Sequence, residues 1–109
     1  MKLQNLSIAA LFAALAMIAP SSQAQGDAAA GKQKNAMCQG CHGVPGFRTA
    51  YPEVYSVPKI GGQNVEYLVN ALKAYRAGER SHPTMMAIAA SLRDQDIADL
   101  AAYYAQGGK

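Results

Sequence analysis

At 109 residues, half of them apolar and only 16% charged, the chain has enough material for one small domain with a thin core. The formal net charge of +3 comes from scattered Lys and Arg side chains that form no dense basic stripe. This argues against nucleic acid as a partner and leaves at most a modest electrostatic docking surface.

Residues 1–24 combine a lone Lys2, an apolar stretch from Leu6 to Ala19, Pro20 and a small-residue site at Ser22-Gln23-Ala24. That is the pattern of a cleaved secretory signal. The apolar stretch is about 14 residues, short of the ~20 that cross a bilayer, so a retained anchor is the weaker alternative. The mature domain is then 25–109, in which nine basic residues face seven acidic ones. A bound group would help to fill so small a core.

Asp27 to Met37 is Ala-rich, with Asp27 placed to complement a helix dipole, and is predicted as a first helix. Gly31 inside it costs about 1 kcal/mol relative to Ala, which favours a need for close approach by another element. The helix leads into Cys38-Gln39-Gly40-Cys41-His42. Two thiols two residues apart, followed at once by an imidazole, match c-type haem attachment. Each thiol can add to one vinyl group, the spacer sets the thiols a helical turn apart, and His42 reaches the iron from the same side. A redox dithiol would need a βαβ context that the chain lacks. A zinc site would need four ligands, and only His82 could join these three. The expected cofactor is one covalently attached haem c, bound by Cys38 and Cys41 with His42 as an iron ligand.

From Gly43 to Gly62 the pattern dissolves into Pro and Gly, with Tyr51 and Tyr55 between them. Structureless loops of this length are uncommon in compact domains unless functional, and this one is expected to wrap the haem, its tyrosines mainly packing it. A second helix is predicted over Asn64 to Ala77, with Val65, Leu68, Val69, Leu72 and Tyr75 near one face and Gly78 as its stop. Met85 and Met86 sit after Pro83, before a helical stretch containing Ile88, Ala89 and Leu92. Met85 shares a face with Ile88, Ala89 and Leu92, whereas Met86 shares one with Ala89, Ala90 and Arg93, so Met85 is favoured as sixth iron ligand. Met86, His82 and an open site are the alternatives. A last helix is predicted over Asp94 to Gln106, with Ile97, Leu100, Ala101 and Tyr104 on one side and acids weighted toward its start. No segment shows strand periodicity, so the domain is expected to be all-α.

The order of haem motif, Pro/Gly loop, amphipathic helix, Met and aromatic terminal helix resembles the class I cytochrome c family over the whole mature chain. Gly26 to Gly31, Pro58 to Gln63 and Asp94 to Tyr104 resemble the single-haem units of the cytochrome c-four type, which carry two such units where this chain has one. The resemblance implies four to five short helices around one haem, with Gly31 letting the first helix cross the last near Leu100 and Tyr103-Tyr104. It also implies Met85 as sixth ligand and a proline carbonyl orienting His42, with Pro45 and Pro52 as the candidates. Arg93 stands where the family usually has a capping Ser, leaving Asp94 as the expected substitute cap. Export followed by haem attachment implies the periplasm.

Ligation by His42 and Met85 is the pattern of an electron carrier with a positive reduction potential, not of an enzyme. Nothing resembles a substrate-activating apparatus, so no small-molecule substrate is expected. The expected partners are redox proteins, such as a membrane-associated oxidase, reductase or dehydrogenase. They would dock weakly at a haem edge near Cys38 and Cys41, steered by Lys32, Lys34, Lys59 and Arg48, with the chain a monomer or weak dimer. The alternatives are a dedicated cytochrome subunit of a redox enzyme, or a haem sensor or enzyme with an open sixth site.

Overall fold

Asp27 opens the first helix, α1 (Ala28–Lys34), its carboxylate accepting from Ala29 N at 2.9 Å and Ala30 N at 3.4 Å. This N-cap satisfies two of the donors that a helix start leaves free. In the computed structural model, which describes residues 25–51 and 54–109, the run predicted as one helix is split. Buried Asn35 turns the chain, and a second helix, α2 (Ala36–His42), carries the entire Cys38–His42 motif. The secretory-signal reading of residues 1–24 lies outside the described residues.

The remaining helices are α3 (Val65–Ala77), α4 (Pro83–Ala90) and α5 (Asp94–Ala105). Asn64 caps α3 by accepting from Tyr67 N at 3.0 Å, and Gly78, with φ of 77°, ends it in the left-handed conformation that glycine adopts without strain. Pro83 sits in the first turn of α4, where its missing N–H costs nothing. Five helices and, among the described residues, no strand make the fold all-α; a single antiparallel bridge joins Arg48 to Ser56.

The fold is organised around α5, which packs on α1 and α3, while α4 packs on α3. Leu68, Leu100, Ala101, Tyr103 and Tyr104 form the core cluster, and Ile97 is fully buried. Val65, expected on the apolar face of α3, is instead 46% exposed, at the first position of the helix. Gly31 is buried at the crossing of α1 and α5, as the resemblance implied. A Cβ there would collide with the Asp99 carbonyl oxygen and lie 2.8 Å from Tyr103 Cβ, so the crossing falls beside Leu100 and Tyr103 as expected.

Two acids of α5 do work that their sequence position did not announce. Arg93 has no acceptor to offer as an N-cap, and Asp96 reaches back to accept from Arg93 N at 2.9 Å. Asp96, not Asp94, therefore supplies the cap interaction, because Asp94 turns outward to Arg76 at 2.7 Å. Asp99, only 2% exposed, accepts from Asp27 N at 2.8 Å, Gln95 Nε2 at 2.8 Å and Lys34 Nζ at 2.6 Å. It ties the start and end of α1 to α5.

The Asp27 backbone N–H, and after it the Lys34 ammonium, hold the Asp99 carboxyl below the usual carboxylate range. A carboxylate whose folded pKa lies below its unfolded value stabilises fully above the unfolded value, about pH 4, and loses that contribution as pH falls toward the folded one. Thermal stability should therefore hold from pH 7 to about 5 and drop below about 4. Asp99→Ala should cost about 2–3 kcal/mol at pH 7 and flatten that acid limb, read by melts across the pH series.

Candidate functional site

A cavity of about 290 Å³ opens between α2, α3, α4, α5 and the loop that follows α2. Its walls are mostly apolar: Leu68, Ala71, Leu72 and Tyr75 come from α3, Ile88 from α4, and Leu100, Ala101 and Tyr104 from α5. Residues Tyr55 to Ile60 supply the loop side. Three of the five residues on the predicted apolar face of α3, Leu68, Leu72 and Tyr75, thus line this space, and Leu68 belongs to the core cluster as well.

Helix α2 places Cys38, Cys41 and His42 together on the cavity wall, the thiols one turn apart and unpaired. Burial pushes the Cys38 thiol up. His42 Nδ1 lies 2.8 Å from Pro58 O. The orienting carbonyl is therefore that of Pro58, not of Pro45 or Pro52 as expected. The loop doubles back, with Thr49 N donating to Tyr55 O and Val57 N to Phe47 O at 2.9 Å each, and this return delivers Pro58 to the imidazole. Once Nδ1–H donates to a carbonyl, Nε2 keeps its lone pair, as an iron ligand must.

Met85 also lines the cavity, whereas Met86, equally half-buried, is not among its lining residues. His82 lines it too, but its Nδ1 is engaged, accepting from Met85 N at 3.2 Å. Arg80 lies over the Tyr75 ring, 4.8 Å from the centroid. The Tyr104 hydroxyl is buried on the cavity wall without a hydrogen bond, and burial pushes its pKa up to about 12. Among the described residues, no group of three or more His, Cys, Asp or Glu side chains is placed to hold a metal ion by itself. Paired free thiols, a lone-pair imidazole nitrogen, apolar walls and an orphaned phenol all fit a flat, largely apolar, iron-bearing group.

The cytochrome c family model matches residues 28–107, nearly all of the described chain. The chain belongs to the cytochrome c family. It is 45% identical over 82 residues to cytochrome c-554(548) of Halomonas halodenitrificans, covering 72% of this chain and 94% of that protein. It is 40% identical over 84 residues to cytochrome c4 of Pseudomonas aeruginosa and 38% identical over 92 residues to cytochrome c4 of Azotobacter vinelandii. Those matches cover 77% and 76% of this chain but only 40% and 42% of the c4 proteins, so the chain spans about two-fifths of their length. It is a class I cytochrome c of the c4 type with one covalently bound haem c, and Cys38 and Cys41 stand in its attachment motif.

Two expectations about this cytochrome's surface change. Lys34 is not a free steering charge, since it pairs with Asp96 at 2.9 Å and Asp99 at 2.6 Å. Tyr51 is 88% exposed, while Tyr55 lines the cavity. The sequence reading missed Pro58 and Asp99. Pro58 opens the segment that resembled the c4 units, which was the available signal; an Asp buried mid-helix gave none.

Proposed function

We propose that this cytochrome is a periplasmic shuttle for single electrons, its haem attached through Cys38 and Cys41 and ligated by His42 and Met85. The observation that carries this reading is the pairing, on one cavity wall system, of an imidazole oriented by Pro58 O at 2.8 Å with the Met85 side chain. When bound, the haem supplies a ferric/ferrous couple. The chain's part is to hold both ligands in place through the redox change and to keep water from the ring. A thioether ligand and apolar walls favour the ferrous state and raise the potential.

Partners are membrane-associated oxidases, reductases or dehydrogenases, met transiently by a monomer or weak dimer. Met37, at 53% exposed, and Tyr67, at 50%, line the cavity and yet face outward, giving a small apolar patch beside the motif helix. Lys32, Arg48 and Lys59 are the steering charges that remain. Reduction by a purified donor should slow several-fold as ionic strength rises, and Lys34→Gln should change that dependence less than Lys59→Gln.

Equilibrium redox titration with carbon monoxide challenge tests the reading. One reversible one-electron wave at positive potential, with no carbon monoxide adduct after reduction, is expected. A clearly negative potential or rapid carbon monoxide binding would move the assignment to a sensor or enzyme with an open site.

A further inference from the structure

The residue that caps the Met85-bearing helix is a histidine, where Ser, Thr, Asp or Asn would be the ordinary choice. His82 adopts extended backbone geometry, and its Nδ1 accepts from Met85 N at 3.2 Å, while its carbonyl accepts from Met86 N at 2.8 Å. Accepting at Nδ1 places the imidazole proton on Nε2. A smaller cap would meet the same demand from the helix. What the imidazole adds is reach: its ring packs against Tyr55, with centroids 4.6 Å apart and planes at 53°.

Tyr55 belongs to the returning limb of the loop, where its backbone N donates to Thr49 Oγ1 at 3.0 Å and its carbonyl accepts from Thr49 N at 2.9 Å. Three residues further on is Pro58, whose carbonyl orients His42. A single side chain therefore joins the segment that orients one iron ligand to the helix that presents the other. Both His82 and Tyr55 line the haem cavity.

We propose that His82 is a positioning residue for Met85: its cap bond and its ring contact with Tyr55 hold the start of α4 against the loop and so keep the sulfur in the sixth position. This rests on the reading of Met85 as ligand. The cap and the ring contact favour the ligand-on arrangement only to the extent that they are lost when the sulfur leaves, so an exogenous ligand that must displace Met85 measures them.

The test is titration of the ferric holoprotein with imidazole, followed at the Soret band, alongside its far-red sulfur-to-iron band. His82→Ala should bind imidazole about five- to thirtyfold more tightly than the parent, the equilibrium factor of a lost N-cap. His82→Asn, which restores an acceptor without the ring, should return to within about threefold of the parent. Tyr55→Leu, which keeps the cap and removes the ring contact, should also gain about threefold and guards against a His82 variant that fails to load haem. Affinity within about twofold of the parent for both His82→Ala and Tyr55→Leu, with the far-red band intact, would overturn the proposal and leave Met85 as ligand. Absence of the far-red band in the parent would overturn the ligand reading and this proposal together.

Discussion

Replacing both attachment thiols, Cys38→Ala with Cys41→Ala, should yield a chain that no longer holds this fold. The core cluster is built from few side chains, chiefly Leu68, Leu100, Ala101, Tyr103 and Tyr104, and the walls around it face a cavity of about 290 Å³. At about 24 cal/mol per Å³, leaving such a volume unfilled costs about 7 kcal/mol. That figure is a ceiling, because the cavity mouth admits water. It is nevertheless on the scale of the whole stability of a small domain, about 5–15 kcal/mol. Far-ultraviolet circular dichroism of the unloaded variant should show much reduced helicity and a broad, weakly cooperative melt. A cooperative melt near that of the haem-loaded parent would mean that the protein part folds on its own.

Gly31→Ala should be nearly as damaging, although it adds one methyl group. The added carbon would collide with the Asp99 carbonyl oxygen and sit 2.6 Å from the carbonyl carbon, and both belong to helix backbone that cannot step aside. Separating α1 from α5 would also stretch the Asp27 N to Asp99 bond and the Lys34 to Asp99 pair. A loss of about 3 kcal/mol is expected, which in a domain of this size lowers the melting temperature by about 12–24 °C. Gly40 supplies the control, since a Cβ there meets nothing within 4 Å. Gly40→Ala should be neutral or stabilising by up to about 1 kcal/mol. Equal behaviour of the two variants would show that the helix crossing is not the reason for glycine at 31.

Features with a local cause were legible in the sequence. The span of α3 followed from apolar spacing and its stop from Gly78, because capping and periodicity are written within a few neighbouring residues. The haem motif was legible for the same reason. What escaped depends on contacts between distant residues. Asp99 reads as one more acid near a helix start, yet its role is fixed by Asp27, 72 positions away, and Lys34, 65 away. Pro58 could be chosen over Pro45 and Pro52 only once the loop return was known, since its bond to His42 spans 16 residues. The break at Asn35 was hidden by the good helix formers on both sides, and Asp94 looked like the cap because its partner, Arg76, lies on another helix.

The far-red spectrum of the ferric protein, recorded for the parent, Met85→Ala and Met86→Ala, bears on the iron ligands without dependence on any partner. With the Met85 sulfur on the iron, the parent and Met86→Ala show the weak sulfur-to-iron charge-transfer band and Met85→Ala loses it, its potential falling by on the order of 100 mV within the ~0.8 V range that axial ligands command. A band that survives Met85→Ala, or a parent that lacks it and binds carbon monoxide readily once reduced, would contradict the His42/Met85 electron carrier.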